Sequence, residues 1–252
     1  YEGIDFEALR GRISERKAFA AAHLDEMAAR FAANAEATGA KVFRAKSPDD
    51  VKTYILDVAR RHGVKTVVKS KSMASEEIHL NAALEAAGMT VSETDLGEWI
   101  IQLAGQRPSH MVMPAIHMTK EEVSDLFSKA IDERLSSDIP RLVQVARDTL
   151  RPRFLEADLG ITGGNIAVAE TGSFVLVTNE GNARLVSSLP KVHIALIGVE
   201  KLVERFEDVG PILQALPKSA TAQALTSYVS IITGPVPNTD GSTKELHIVL
   251  MD

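Results

Sequence analysis

Apolar residues are spaced along the chain in blocks of changing period, and the blocks set out the elements. Over residues 1–38 alanine is dense, and Ile13, Phe19, Leu24, Met27 and Phe31 recur at helical spacing, which predicts a helix stopped by Gly39. Lys41–Ala45 then reads as a short strand. Ser47-Pro-Asp-Asp50 offers a capping serine, a proline at the first helical position and acids in the first turn, so a helix runs from there to Gly63. Thr66–Ser70 predicts a strand, Ser75 opens a helix that closes at Gly88, and Thr90–Thr94 predicts a third strand. This strand–helix alternation is the pattern of a parallel sheet covered by helices.

A short helix near Glu98–Ala104 and a strand at Ser109–Met113 follow. Thr119 and Glu122 form a capping box, and helices extend to about Phe154 with a break near Ser136–Pro140. After Asp158 the pattern turns strand-like. Gly160–Asn165 reads as a tight turn, and Ile166–Glu170, Phe174–Thr178, Val192–Val199, Tyr228–Thr233 and Glu245–Leu250 read as strands. Asn179–Asn182 reads as a turn by composition. The expectation is an α/β fold with a mostly parallel sheet and flanking helices. A helical N-terminal arm (1–38) precedes one α/β domain (39–252).

Composition narrows the function. The 252 residues are 45% hydrophobic and 25% charged, an ordinary globular balance. A net charge of −6 and an aromatic content of 5% argue against nucleic acid as the main partner. There is no cysteine, which removes thiol catalysis, disulfides and cysteine-ligated metal from these residues and points to a reducing, cytoplasmic compartment. The strongest apolar run, Val192–Val199, is too short to cross a bilayer. The chain opens at Tyr1 rather than methionine and stops at Asp252 just after a strand-like stretch, so more protein is expected on both sides.

Dinucleotide, phosphate-loop, zinc-protease and esterase signatures are all absent. Three segments carry candidate chemistry instead. Val68-Lys-Ser-Lys-Ser-Met73 sits where a parallel strand ends, the edge at which open α/β sheets bind ligands, and its ammonium and hydroxyl groups suit an anion. It also reads as a solvated, capped loop. Gly160–Ser173 offers glycines that admit a ligand close to the backbone, and Glu170 at the lip of a strand. The same residues fit a plain hairpin. In Asn179–Arg184, Arg184 can clamp an acid or lie on the surface. His110 and His117 flank a proline without metal spacing and read as hydrogen-bonded histidines. Asp95 and Glu98 line the same edge or cap a helix. No metal ligand set is assigned.

In order along the chain, Val68–Met73 with Glu76–Ile78, Glu93–Glu98, Pro108–His110 with Pro114–His117, and Gly160–Ser173 with Asn179–Arg184 resemble the LUD domain of the lactate-utilisation protein B family, from about residue 20 to Asp252. The resemblance implies a fold similar to the NagB/RpiA/CoA-transferase-like superfamily. It implies a role in an iron–sulfur subunit of the complex that oxidises L-lactate to pyruvate. Its 4Fe–4S clusters belong to a C-terminal region beyond this chain, and its partners are a Cys-rich subunit and a second LUD-domain protein.

Within that frame the expected ligand-binding set is Lys69, Ser70, Lys71, Ser72, Glu98, His110, His117, Gly163, Gly164, Asn165, Thr171, Asn182 and Arg184, around a small anion. Two alternatives stay open. One is a scaffold that docks the cluster region to partners without chemistry of its own. The other is a CoA-transferase-like transferase or isomerase with Glu170 as the catalytic nucleophile or base, a role lactate oxidation does not itself require.

Overall fold

The computed structural model describes residues 5–110, 112–237 and 241–252. Among the described residues, ten strands form two sheets. The larger has six strands: β1 (Lys41–Ala45), β10 (Glu245–Met251), β7 (Val192–Gly198), β4 (Leu159–Thr162), β2 (Thr66–Lys69) and β3 (Thr90–Glu93), in that spatial order and all parallel. The smaller has four: β8 (Leu202–Val203), β5 (Ile166–Val168), β6 (Ser173–Thr178) and β9 (Tyr228–Ile232). In it β5 and β8 run parallel, whereas β6 is antiparallel to both β5 and β9. The expected mostly parallel α/β sheet is therefore observed.

Period-2 alternation places β7 between two cores. Ile194 and Leu196 face one side with Val67, Val91, Leu159 and Ile161, against Val51, Ile55, Val58 and Ala59 of α3 (Pro48–Arg61) and Leu80 and Leu84 of α5 (Leu80–Ala86). Ala195 and Ile197 face the other, with Phe174 and Leu176 of the small sheet and Met27, Phe31 and Ala35 of α2 (Leu24–Ala37). With both faces covered, β7 is apolar at nearly every position and wholly buried. Each fully buried branched side chain in these layers contributes roughly 1.5–3 kcal/mol. The far face of the small sheet is covered by Val209, Ile212 and Leu213 of α10 (Val209–Thr221).

Several elements differ from expectation. The N-terminal helix is two, α1 (Phe6–Ala22) and α2, broken at His23, and residues 1–4 lie outside the described ones. The helix expected from Ser75 starts earlier. Ser72 accepts from the Ser75 N–H and caps α4 (Met73–Glu77), and His79 in the left-handed region (φ 53°) then breaks the chain before α5. Of the expected strand at 109–113, the described residues 109, 110, 112 and 113 form bends, and Met111 lies outside the described residues. His110 Nδ1 accepts the Val112 and Met113 N–H groups and draws the chain into bends. α6 (Leu96–Ala104), α7 (Lys120–Ile131) and α8 (Ile139–Glu156) pack together over Val68.

Gly160 belongs to the central strand β4 rather than to a turn. A Cβ there would lie 2.0 Å from the Val186 carbonyl oxygen, so the glycine admits the backbone of α9 (Asn182–Ser188) against the sheet. Among the described residues no helix is long and apolar enough to cross a membrane.

Candidate functional site

Parallel strands end on one side, and a large cavity opens there. It has a volume of about 1000 Å³ and is lined by residues that follow β2 (Ser70, Lys71, Ser72), β3 (Asp95), β4 (Gly163, Gly164, Asn165), β7 (Glu200, Lys201) and the end of β10 (Met251, Asp252). Val177–Glu180, Asn182 and the last turns of α10 close the opposite wall. This is the edge at which open α/β sheets commonly bind ligands.

Of the expected site residues, Ser70, Lys71, Ser72, Gly163, Gly164, Asn165 and Asn182 come together here. The meeting is tight. Ser70 N–H donates to the Ile161 carbonyl, and a Cβ on Gly163 would sit 3.2 Å from Ser72 Oγ. A Cβ on Gly164 would reach Ile197 Cγ1 at 2.7 Å. The two glycines thus let the end of β4 pass between α4 and the sheet. Asn165 Oδ1 accepts the Val177 N–H at 2.8 Å, joining the loop to β6. Asn182 Nδ2 donates to Thr94 Oγ1 at 3.3 Å, Thr94 donates to the Lys69 carbonyl at 2.8 Å, and Thr178 donates to Asn182 Oδ1 at 2.9 Å. This chain of bonds ties the ends of β2, β3 and β6 into one wall.

Lys71 Nζ donates to the Val112 carbonyl at 2.7 Å, which holds the loop after α6 beside the cavity. Sequence reasoning missed Glu77, Glu200, Lys201, Met251 and Asp252, although the strand-end rule applied to β7 and β10 would have found the last four. Two lysines therefore face five carboxylates: Glu77, Asp95, Glu180, Glu200 and Asp252. Most are engaged. Asp252 pairs with Arg44 at 2.8 Å, Glu200 with Lys201 at 3.3 Å, and Asp95 caps α6 by accepting the Glu98 N–H. Burial, and then Asp95, push the Glu180 carboxyl above its ordinary range.

The other expected residues lie elsewhere. Lys69 is fully buried behind the cavity, with Nζ 2.6 Å from Glu76, 2.9 Å from Glu93 and 2.9 Å from Ser75 Oγ. Burial alone would lower its pKa; Glu93 and then Glu76 outweigh it and raise it, so Lys69 stays charged. Glu98 borders a separate cavity of about 300 Å³ with Glu76, His79, Asn81 and Glu93. Burial, and then Glu93 and Glu76, raise its pKa to about 7.

His117 is held between Ser109 Oγ and Gln106 Oε1, both at 2.7 Å. His110 shapes its own bend as described above. Arg184 stacks over Tyr228, with its guanidinium carbon 4.8 Å from the ring centre. Glu170 and Thr171 occupy the β5–β6 turn, at the opposite end of β5 from Asn165. There Glu170 Oε2 accepts the Phe206 N–H at 2.8 Å, and Thr171 Oγ1 accepts the Ser173 N–H.

The LUD domain family matches residues 28–251. The chain is 42% identical over 250 residues to lactate utilization protein B of Bacillus velezensis and 43% identical over 251 residues to that of Bacillus subtilis. Each match covers 98% of this chain and 52% of the relative. It is 44% identical over 232 residues to the protein of that name from Geobacillus thermodenitrificans, covering 91% of this chain and 49% of the relative. The chain thus spans about half the length of the curated relatives it matches. Among solved structures it is similar to a DUF162 family protein from Deinococcus radiodurans, with TM-score 0.48 and 12% identity over 91% of this chain and 98% of that one. With the match spanning every strand from β1 to β10, the chain belongs to the LUD domain family.

Proposed function

We propose that this LUD domain serves lactate utilisation by receiving a small anionic ligand, a carboxylate such as lactate or pyruvate or a phosphate-bearing cofactor, at the Lys71 corner of the large cavity. The observation that carries this reading is the convergence of Ser70–Ser72 and Gly163–Asn165, far apart in sequence, around one opening at the carboxyl edge of the sheet. Lys71 supplies the counter-charge, and the glycines let a ligand approach the backbone. The relatives named lactate utilization protein B support the physiological setting.

Oxidising L-lactate to pyruvate releases two electrons and two protons. In this reading the electrons pass to 4Fe–4S clusters held outside these residues, since this chain has no cysteine. A Cys-rich subunit and a second LUD-domain protein complete the complex. Glu170, whose carboxylate is engaged with the Phe206 N–H away from the cavity, is given no chemistry.

A docking role is the second reading. Strand β9 lies at the edge of the small sheet with Val229 and Ile231 exposed, and Leu225 beside it is 80% exposed.

Calorimetric titration with L-lactate, pyruvate and inorganic phosphate tests the first reading. At least one binds the wild-type chain, and Lys71→Ala weakens it roughly tenfold or more, the loss of one charge-assisted hydrogen bond. Absence of binding by all three, or binding indifferent to Lys71→Ala, removes the anion-receptor role.

A further inference from the structure

At the edge of the main sheet opposite the cavity, two imidazoles and a carboxylate converge. His62, Glu245 and His247 each offer one ligand atom, and these atoms all lie within 4.8 Å of one another. His62 caps the C-terminus of α3, while Glu245 and His247, two residues apart, share one face at the start of β10. Parallel pairing of β1 with β10 sets Lys41 beside His247 and completes the cluster.

We propose that His62, Glu245 and His247 form a binding site for a divalent metal ion of the zinc class, with solvent in the fourth position. Bonds of about 2.0–2.2 Å in a tetrahedral zinc site place ligand atoms roughly 3.3 Å apart. His62 Nε2 lies 3.3 Å from Glu245 Oε1, which already fits. His247 Nε2 lies 2.7 Å from the same oxygen, so that pair opens by about half an ångström.

The surroundings are those of a held ligand. The His247 side chain is fully buried, and its Nδ1 lies 2.8 Å from the Tyr54 hydroxyl. The Tyr54 ring is itself stacked on Phe43 at 4.4 Å and 4°. An outer partner on the second ring nitrogen is what orients metal-binding histidines.

With Nε2 on the metal, His247 carries its proton on Nδ1 and donates it to the Tyr54 hydroxyl oxygen, 2.8 Å away.

The competitor is cationic. Lys41 pairs with Glu245, and Arg61 also acts on His247 and Tyr54. The Lys41 side chain is 53% exposed and free to swing into solvent. A metal here ties α3 to β10 and is independent of the ligand cavity, which lies a strand's length away, roughly 20 Å.

Cobalt(II), as a spectroscopic stand-in for zinc, tests this on the tag-free chain. One equivalent gives the visible absorption of a four-coordinate site, zinc displaces it, and zinc raises Tm. His62→Ala, at an exposed position, and Glu245→Gln each weaken binding at least tenfold, whereas Lys41→Ala tightens it. The proposal is overturned if wild type shows neither the absorption nor a zinc-dependent Tm shift. Binding that His62→Ala and Glu245→Gln leave unchanged overturns it equally, because the metal then sits elsewhere.

Discussion

Lys69 and Glu93 face each other across the adjacent parallel strands β2 and β3, with the ammonium 2.9 Å from the carboxylate and both side chains shut away from solvent. Glu93 Oε1 accepts from Asn81 Nδ2 at 2.6 Å, whereas Oε2 has no hydrogen-bond partner among the described residues, so Lys69 is the counter-charge that makes the buried carboxylate tolerable. Lys69→Met leaves that charge unpaired and is expected to cost about 3–5 kcal/mol by urea denaturation at pH 7. The double variant Lys69→Met/Glu93→Leu recovers most of the loss, since apolar packing can replace a buried pair. A single-variant cost below about 1 kcal/mol would show that the pair is not coupled. Lys69 stands in the same segment as Lys71, yet its burial makes it a fold-stabilising residue rather than a ligand contact.

That contrast shows what the sequence can and cannot tell. Val68–Met73 was legible as the end of a parallel strand, and strand-end logic placed Lys71 and Ser72 at the cavity. It could not say that Lys69 points inward, because its counter-charges Glu76 and Glu93 come from a later helix and strand. Gly160 carried a turn signal, yet it serves the approach of α9, a relation between distant segments that local pattern does not encode. Strand order was also beyond local reading. β1, first along the chain, lies at the far edge beside β10, the last. The same pairing hid the cluster at His62, Glu245 and His247. By contrast, the caps at Ser47 and Thr119 were readable because each is completed within four residues.

The N-terminal helices divide by burial, which predicts different consequences for two phenylalanines. Phe31 of α2 is wholly buried, in one core with Phe174, Ile197 and Leu202. A Cβ on Gly172 would lie 2.2 Å from the Ala35 backbone nitrogen, so α2 is seated directly on the β5–β6 turn. Phe19 of α1 is 40% exposed and stacks on His23. Phe31→Ala is expected to destabilise the chain by about 3–5 kcal/mol, and Phe19→Ala by roughly 0.5 kcal/mol or less. Equal effects in thermal or urea unfolding would mean that α2 is a detachable arm rather than part of the core.

Two buried groups with opposite pH slopes give the last prediction. Glu98 has a pKa of about 7 against an ordinary 4.5. Between these values the folded chain keeps a proton that the unfolded chain has released, so stability falls as pH rises through the window. His193 is fully buried, 2.8 Å from Thr162 Oγ1, and burial, then Lys244, lower its pKa to about 3 from 6.5. Between those values the unfolded chain takes a proton that the folded chain refuses, so stability rises with pH. The slopes oppose each other between about pH 4.5 and 6.5; below that window His193 drives acid unfolding, and above it Glu98 alone lowers stability. Glu98→Gln removes the falling limb. Relative to wild type, its urea midpoint should improve steadily from about pH 4.5 to pH 7 and then level off. A difference that does not change with pH would show that Glu98 titrates normally, and that Glu76 and Glu93 do not act on it.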